Sequence, residues 1–362
     1  MVRQNPFKPT AGATPPLLVG RSSVISDFAE SLDDGPGAPA RLAKVSGARG
    51  VGKTVMLTAT ADEARSRDWL VIAETATSGL PERLTAAVRR SLSPQGRIDT
   101  DGAGFRTVME RALDDLEPLD RGVLITIDEV HDSARASMKE ITTAYQHLVT
   151  AGRNVALVFA GLPNPLKNLL DDDVLTFLRR AEPFDLDDVP LPDVQAAFLD
   201  TITAKGRTIT DEALAEITLA TGGYPFMIQL VGYHVWRVGK EGLITMEDAN
   251  VGIPAARKRL GTTVHSTALN DASSIDRTFL LAMSHDDGPS KIGDIGARLD
   301  EDSNYITMYR SRLLNAGLIT SVGYGLVDFA LPYMRDYLRE NAAHIEMAER
   351  IRRERARRPG KD

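Results

Sequence analysis

The stretch Gly47-Ala-Arg-Gly-Val-Gly-Lys-Thr54 fits the spacing G-x-x-x-x-G-K-[ST] and constrains the fold more than any other segment of the chain. It follows a short apolar run, RLAKVSG, and opens a helical pattern, which is the setting its chemistry demands. Glycines let backbone N–H groups close around a phosphate, a lysine reaches the β- and γ-phosphates, and a hydroxyl ligates Mg²⁺. The residues expected to cradle a nucleoside triphosphate are therefore Gly47, Ala48, Arg49, Gly50, Val51, Gly52, Lys53, Thr54 and Val55, with Lys53 also serving the chemistry and Thr54 the metal.

Such a loop implies an α/β fold, and the neighbouring sequence agrees. Apolar runs rich in β-branched residues recur at RLAKVSG, WLVIAETA, GVLITIDEV and NVALVFAGL, each followed by a helical stretch. Continuous apolar strands alternating with helices predict a parallel sheet covered on both faces. EPFDLDDV supplies a fifth, edge strand, and LLVGRSSVISDFAESL predicts a helix beginning near Ser22 or Ser23.

After about Leu191 the pattern becomes helical. LPDVQAAFLDTI, TDEALAEITLATGG and PFMIQLVGYHVWRV read as helices, the last opening on Pro225, where a missing N–H costs nothing. From Ser273 the order is three helices and then TSVGYGLVDFAL, two β-like runs around a Gly-Tyr-Gly turn, which predicts a winged helix. The expected organisation is a flexible arm over 1–16, a P-loop core of five parallel strands over 17–190, an all-helical lid over 191–270, a winged-helix domain over 271–343 and a basic, frayed tail over 344–362.

VLITIDEVH delivers Asp128 and Glu129 to the carboxyl end of a buried strand, where ligands of open α/β sheets sit. Asp128 is expected to hold Mg²⁺ through water, and Glu129 to orient or deprotonate an attacking water. Histidine follows at position 131, more consistent with a solvated strand end than with catalysis. Tyr233 and Trp236, at helical spacing, read as packing.

The phosphate loop, LLVGR, IDE, VFAGLP and TGGYP occur here in the order found in AAA+-like ATPases. From Leu17 to Asp336 the chain resembles the bacterial and archaeal group near the origin-recognition initiators and the signal-transduction ATPases with numerous domains (STAND). The resemblance implies ATP and Mg²⁺ as ligands, Val19 and Gly20 as base contacts and Pro225 as a lid contact. It also implies that Arg179 or Arg180 reaches the γ-phosphate of a neighbouring subunit, so a homo-oligomer is expected. Two family features are missing. The fourth strand ends on Ala160 and Gly161 where initiators carry a polar residue, and Phe226, Met227 and Ile228 follow GGYP where relatives carry an arginine. Both absences point to slow hydrolysis.

A winged helix suggests DNA, with Arg310 and Arg312 on its third helix as candidate contacts. Charge argues otherwise: between Ser273 and Glu340 ten acids face seven bases, a balance of −3, while phosphate neutralisation supplies most non-specific affinity. The tail from Arg350 to Lys361 has seven bases and offers a second basic surface. The formal charge of the chain is −7, which argues against a protein that coats nucleic acid over its whole surface. There are no cysteines, so disulfides and thiolate metal sites are excluded, and the six histidines show no metal-ligand spacing. With no signal-peptide pattern and no apolar run of about 18–20 residues, the chain reads as cytoplasmic, with no membrane partner. The expected function is a slow regulatory ATPase whose nucleotide state sets the lid and winged helix for a protein partner. A DNA-binding initiator or loader, and a nucleotide-gated scaffold, are the alternatives.

Overall fold

The computed structural model describes residues 4–10, 19–92, 102–171, 173–239 and 242–357. Helix α1 (Ser22–Asp33) leads into β1 (Leu42–Gly47), the phosphate loop and α2 (Lys53–Ser66). Then come β2 (Leu70–Thr75), α3 (Leu80–Leu92), α4 (Phe105–Leu116), β3 (Val123–Asp128), α5 (Arg135–Thr150), β4 (Val155–Gly161), α6 (Pro163–Leu170), a 3₁₀ segment (Asp173–Arg180) and β5 (Glu182–Leu186). All five strands run parallel in the order β2-β3-β4-β1-β5, with β5 at an edge. Val123 to Ile127 of β3 and every residue of β4 are buried, as expected of strands covered on both faces. One face carries α1 and α2, and its core continues into the lid; α3 to α6 cover the other.

The region expected to form a lid, and called the lid for its position, comprises α7 (Leu191–Ala204), α8 (Asp211–Leu219), α9 (Pro225–Val238) and α10 (Met246–Leu260). It departs from the all-helical expectation in one respect: β6 (Thr208–Ile209) and β7 (Leu243–Ile244) pair in parallel. Two-residue strands are too short to leave a periodicity in the sequence. The arm also departs from its expectation. Phe7 is 3% exposed and packs on the Phe198 ring at 5.7 Å. Asn5 donates to the Tyr233 carbonyl at 3.0 Å, and the Lys8 N–H to Gln229 Oε1 at 3.1 Å. A Cβ at Gly232 would come within 2.4 Å of the Phe7 ring, so this glycine makes the seat for the arm on α9.

A π-helical segment (Gly261–His265) and α11 (Ser266–Asp271) lead out of the lid. Ser273 and Asp276 then form a capping box at the start of α12 (Ser274–Ser284). The C-terminal module continues through β8 (Ser290–Lys291), α13 (Ile292–Leu299), α14 (Ser303–Asn315), β9 (Ile319–Gly323) and β10 (Leu326–Phe329). Its three strands form an antiparallel sheet in the order β8-β10-β9, and Tyr324 is fully exposed at the tip of the β9–β10 turn. Helix α15 (Met334–Arg357) buries Met334 and Leu338 in the module's core and runs on through much of the stretch expected to fray. The last five residues of the basic tail lie outside the described residues, as do Leu17 and Leu18 of LLVGR.

Candidate nucleotide site

The phosphate loop leaves β1 at Gly47 and enters α2 at Lys53. Gly50 and Gly52 hold φ of +76° and +101°, a left-handed backbone that turns the chain sharply between strand and helix. At Gly50 a second constraint applies: an added Cβ would fall 1.9 Å from the Tyr224 hydroxyl. Tyr224 is buried, and its hydroxyl donates to the Arg49 carbonyl at 2.9 Å. The GGYP turn therefore reaches the phosphate loop through its tyrosine, one residue before the proline that the sequence singles out. Burial raises the Tyr224 pKa and keeps the hydroxyl a donor.

Lys53 Nζ donates to the Gly47 carbonyl at 2.8 Å and the Ala48 carbonyl at 2.7 Å. Desolvation is the main cause that brings its pKa down to about 8; Arg49 adds to the fall, while Asp128 and Glu129 oppose it. These four charged groups thus share one electrostatic environment. The Thr54 hydroxyl donates to Asp128 Oδ2 at 2.6 Å, closing the loop onto the end of β3 across 74 residues of sequence. The other carboxylate oxygen of Asp128 accepts the Glu129 N–H at 2.8 Å. Glu129 is exposed and has φ of +56°, a left-handed conformation unusual for a residue with a side chain. Strain of this kind costs on the order of 1–3 kcal/mol and concentrates at functional sites.

Thr54 and Asp128 present two hard oxygen donors to one point, which suits Mg²⁺. Among the described residues no group of three or more His, Cys, Asp or Glu can hold a metal by itself. A cation here would complete its octahedron with water and phosphate oxygens, the habit of Mg²⁺ in phosphoryl-transfer sites.

Other sequence-predicted residues fall around this centre. Val51 is buried under the loop, and Val19 packs against the same core cluster. Gly20 has φ of +67° and lies beside Val189 and Asp193, at the junction of sheet and lid. There Arg21 donates to the Asp187 carbonyl. Val55 and Pro225 occupy the first turns of α2 and α9. Ala160 is fully buried, and a Cβ on Gly161 would stand 2.5 Å from the Val130 carbonyl, so β4 offers no polar side chain at its end.

Arg179 is anchored within the chain, donating to the Leu170 carbonyl at 2.6 Å and the Asp171 carbonyl at 3.0 Å. It lines a cleft of about 280 Å³ with Lys44, Ser46, Lys167, Asp171 and Asp185. Arg180 is exposed. His131 is exposed and pairs through Nδ1 with the Ser133 hydroxyl at 2.9 Å. Trp236 is buried beneath the Arg207 guanidinium, 4.0 Å from the ring centroid, in the packing role expected of it.

The two arginines of α14 have internal partners. Arg312 donates to Asp276 Oδ2 at 2.9 Å and lies over the Tyr309 ring. Arg310 reaches the Ser321 hydroxyl, with its Nε buried. The exposed face of α14 is left with Ser303, Asn304, Thr307, Met308 and Ser311 beside it.

Residues 17–158 match the family model of the AAA ATPase domain, and residues 262–338 match a domain of unknown function, DUF8462. No curated protein matches the sequence. Among solved structures, a Walker-type ATPase of Pyrococcus abyssi is similar at 15% identity and a TM-score of 0.69, covering 89% of this chain and 96% of that one. The ORC2 protein of Aeropyrum pernix, in its ADPNP–ADP complexes, gives 12% identity and 0.65, covering 95% and 98%. Cdc6p of Pyrobaculum aerophilum gives 15% and 0.51, covering 94% and 97%. At these identities the shared property is the fold. Among the described residues no helix is long and apolar enough to cross a membrane.

Proposed function

We propose that this chain, whose residues 17–158 match the AAA ATPase domain and whose fold is similar to that of archaeal origin-recognition proteins, binds ATP with Mg²⁺ and hydrolyses it slowly as a regulatory switch. The observation that carries the reading is the 2.6 Å hydrogen bond from Thr54 to Asp128, which brings both halves of a phosphate site to one point. The loop backbone holds the phosphates, and Lys53 exchanges its carbonyl partners for β- and γ-phosphate oxygens. Thr54 and Asp128 hold the Mg²⁺, whose chemistry is to neutralise charge on the β- and γ-oxygens. Glu129 accepts a proton from the water that attacks the γ-phosphorus, and the β–γ bridging oxygen leaves with ADP. With Ala160 and Gly161 at the end of β4, no side chain there helps to place that water, which supports slow turnover.

The β6–β7 lid packs on the loop through Tyr224, so nucleotide state is read by the lid and passed to the C-terminal module. We take that module as a winged helix acting on a protein partner in the cytoplasm. The acidic balance and the internal partners of Arg312 favour protein over DNA. In an oligomer, Arg180 is better placed than the anchored Arg179 to reach a neighbour.

Equilibrium binding of fluorescent ATP tests the reading. Wild type is expected to bind in an Mg²⁺-dependent manner and Lys53→Ala to lose at least about 100-fold in affinity. Equal affinity for the two proteins overturns the site. A DNA-dependent rise in turnover, with steep salt dependence of binding, would replace the protein partner with DNA.

A further inference from the structure

Arg49 is the loop residue whose side chain leaves the loop. Its Nε donates to the carbonyl of Ala316 at 3.2 Å, across 267 residues of sequence. Ala316 is the C-cap of α14, whose last carbonyls have no partner within the helix and carry the negative end of its dipole. A guanidinium placed there is a cap supplied by another domain. The next residue, Gly317, has φ of +64°, and its Cβ position lies 3.1 Å from Leu162 at the start of α6. The end of α14 therefore sits on the ATPase core at the mouth of the phosphate loop. The backbone of Arg49 is held from the opposite side, because its carbonyl accepts the Tyr224 hydroxyl from the lid. One residue thus joins loop, lid and C-terminal module.

Resting on the ATP-binding reading above, we propose that Arg49 is an exchangeable latch: its guanidinium holds the C-terminal module through Ala316, and the phosphates of a bound nucleoside triphosphate take it away and release the module. The chemistry favours the exchange. A hydrogen bond from guanidinium to phosphate has charge on both sides and is roughly twice as strong as one to a neutral carbonyl, and it can be bidentate. Arg49 and Lys53 also feel each other's charge, which places the guanidinium within electrostatic reach of the phosphate position. The module keeps a second tether when the latch opens, since Tyr333 donates to the Ala220 carbonyl of the lid at 2.6 Å. Release would thus be a swing about the lid rather than loss of the module.

The absence of cysteine allows a direct test. Nitroxide labels at Ser66→Cys on α2 and Ser311→Cys on α14 report the core-to-module distance by pulsed EPR, with fluorescent-ATP affinity measured on the same proteins. Without nucleotide, the otherwise unaltered protein and Arg49→Lys are expected to give one narrow distance, and Arg49→Ala a broad distribution shifted to longer values. Saturating ATP–Mg²⁺ is expected to convert the first pattern into the second while leaving Arg49→Ala unmoved. The same narrow distance in nucleotide-free Arg49→Ala overturns the latch whether or not ATP binds. An unmoved distance in protein shown to be saturated overturns the exchange alone, and an absence of ATP binding removes the exchange together with the reading it rests on.

Discussion

Thr54 and Asp128 stand 74 residues apart in sequence and meet at 2.6 Å, whereas Arg310 and Arg312 stand two residues apart and turn to different internal partners. The first pair belongs to the ATPase core and the second to the C-terminal module. In the core, the proposed function rests on backbone conformation: glycines at positive φ and a buried strand that ends on a carboxylate. Spacing is enough to find such a site. On α14, function would rest on which side chains remain free, and that is decided by neighbours far away in sequence. Asp276 caps α12 and, being almost fully buried, needs a counter-charge; Arg312 supplies it. A motif of backbone survives folding as read, while a motif of exposed charge does not.

The contrast is broken most severely at a glycine. Gly50 and Gly325 share a positive φ, but an added Cβ meets Tyr224 at the first and nothing within 4 Å at the second. Gly325→Ala should cost about 1 kcal/mol from backbone strain alone, and Gly50→Ala about 3 kcal/mol or more through strain and overpacking. Denaturant titration of both variants checks this, and equal costs would contradict the Tyr224 packing.

Next in size is Arg312→Ala, expected to lower stability by about 1–2 kcal/mol because a buried carboxylate loses its charged partner. Half of the Arg312 side chain is exposed, which keeps the cost near the lower end. A variant of unchanged stability that loses binding to a DNA probe would restore α14 as a reading helix.

Lys53 sharpens the comparison from the core side. Its pKa stands at about 8 against an ordinary 10.5, so between those values the folded chain binds fewer protons than the unfolded one. This group's contribution to stability accordingly rises with pH through that window and is flat below it. Phosphate binding restores the charged form, so at pH 8.5 nucleotide binding should take up about three-quarters of a proton, falling towards zero at pH 6.5. Calorimetry in buffers of different ionisation enthalpy reads this directly; equal uptake at both values would detach Lys53 from the phosphates.

The smallest effect is that of Tyr224→Phe, which removes one hydrogen bond to the Arg49 carbonyl and should cost about 1 kcal/mol. A cost near zero would mean that ring packing on Gly50, and not the hydroxyl, joins lid to loop.

Much of this architecture was legible in the residues. Four of the five strands announce themselves as continuous apolar runs, β5 being a short edge strand with alternating burial, and the ends of the loop and of β3 meet where Thr54 donates to Asp128. Three features were hidden for identifiable reasons. Strands β6 and β7 are two residues each, too short to leave a period of two in the sequence. The arm around Phe7 looks like a loop, because its order comes from Gly232 and Phe198 on the lid. Tyr224 sits in a turn whose glycines and proline explain themselves locally, so nothing in GGYP shows that the tyrosine fills the space above Gly50.

The central claim is that a triphosphate held by this loop is cleaved with Glu129 as the base. Single-turnover cleavage of ATP by wild type and by Glu129→Gln, with binding measured in parallel, tests it most directly. Wild type should convert bound ATP to ADP, and Glu129→Gln should bind ATP comparably and cleave it at least about 100-fold more slowly. Cleavage at the wild-type rate by Glu129→Gln would show that the strained glutamate at the end of β3 is not the catalytic base.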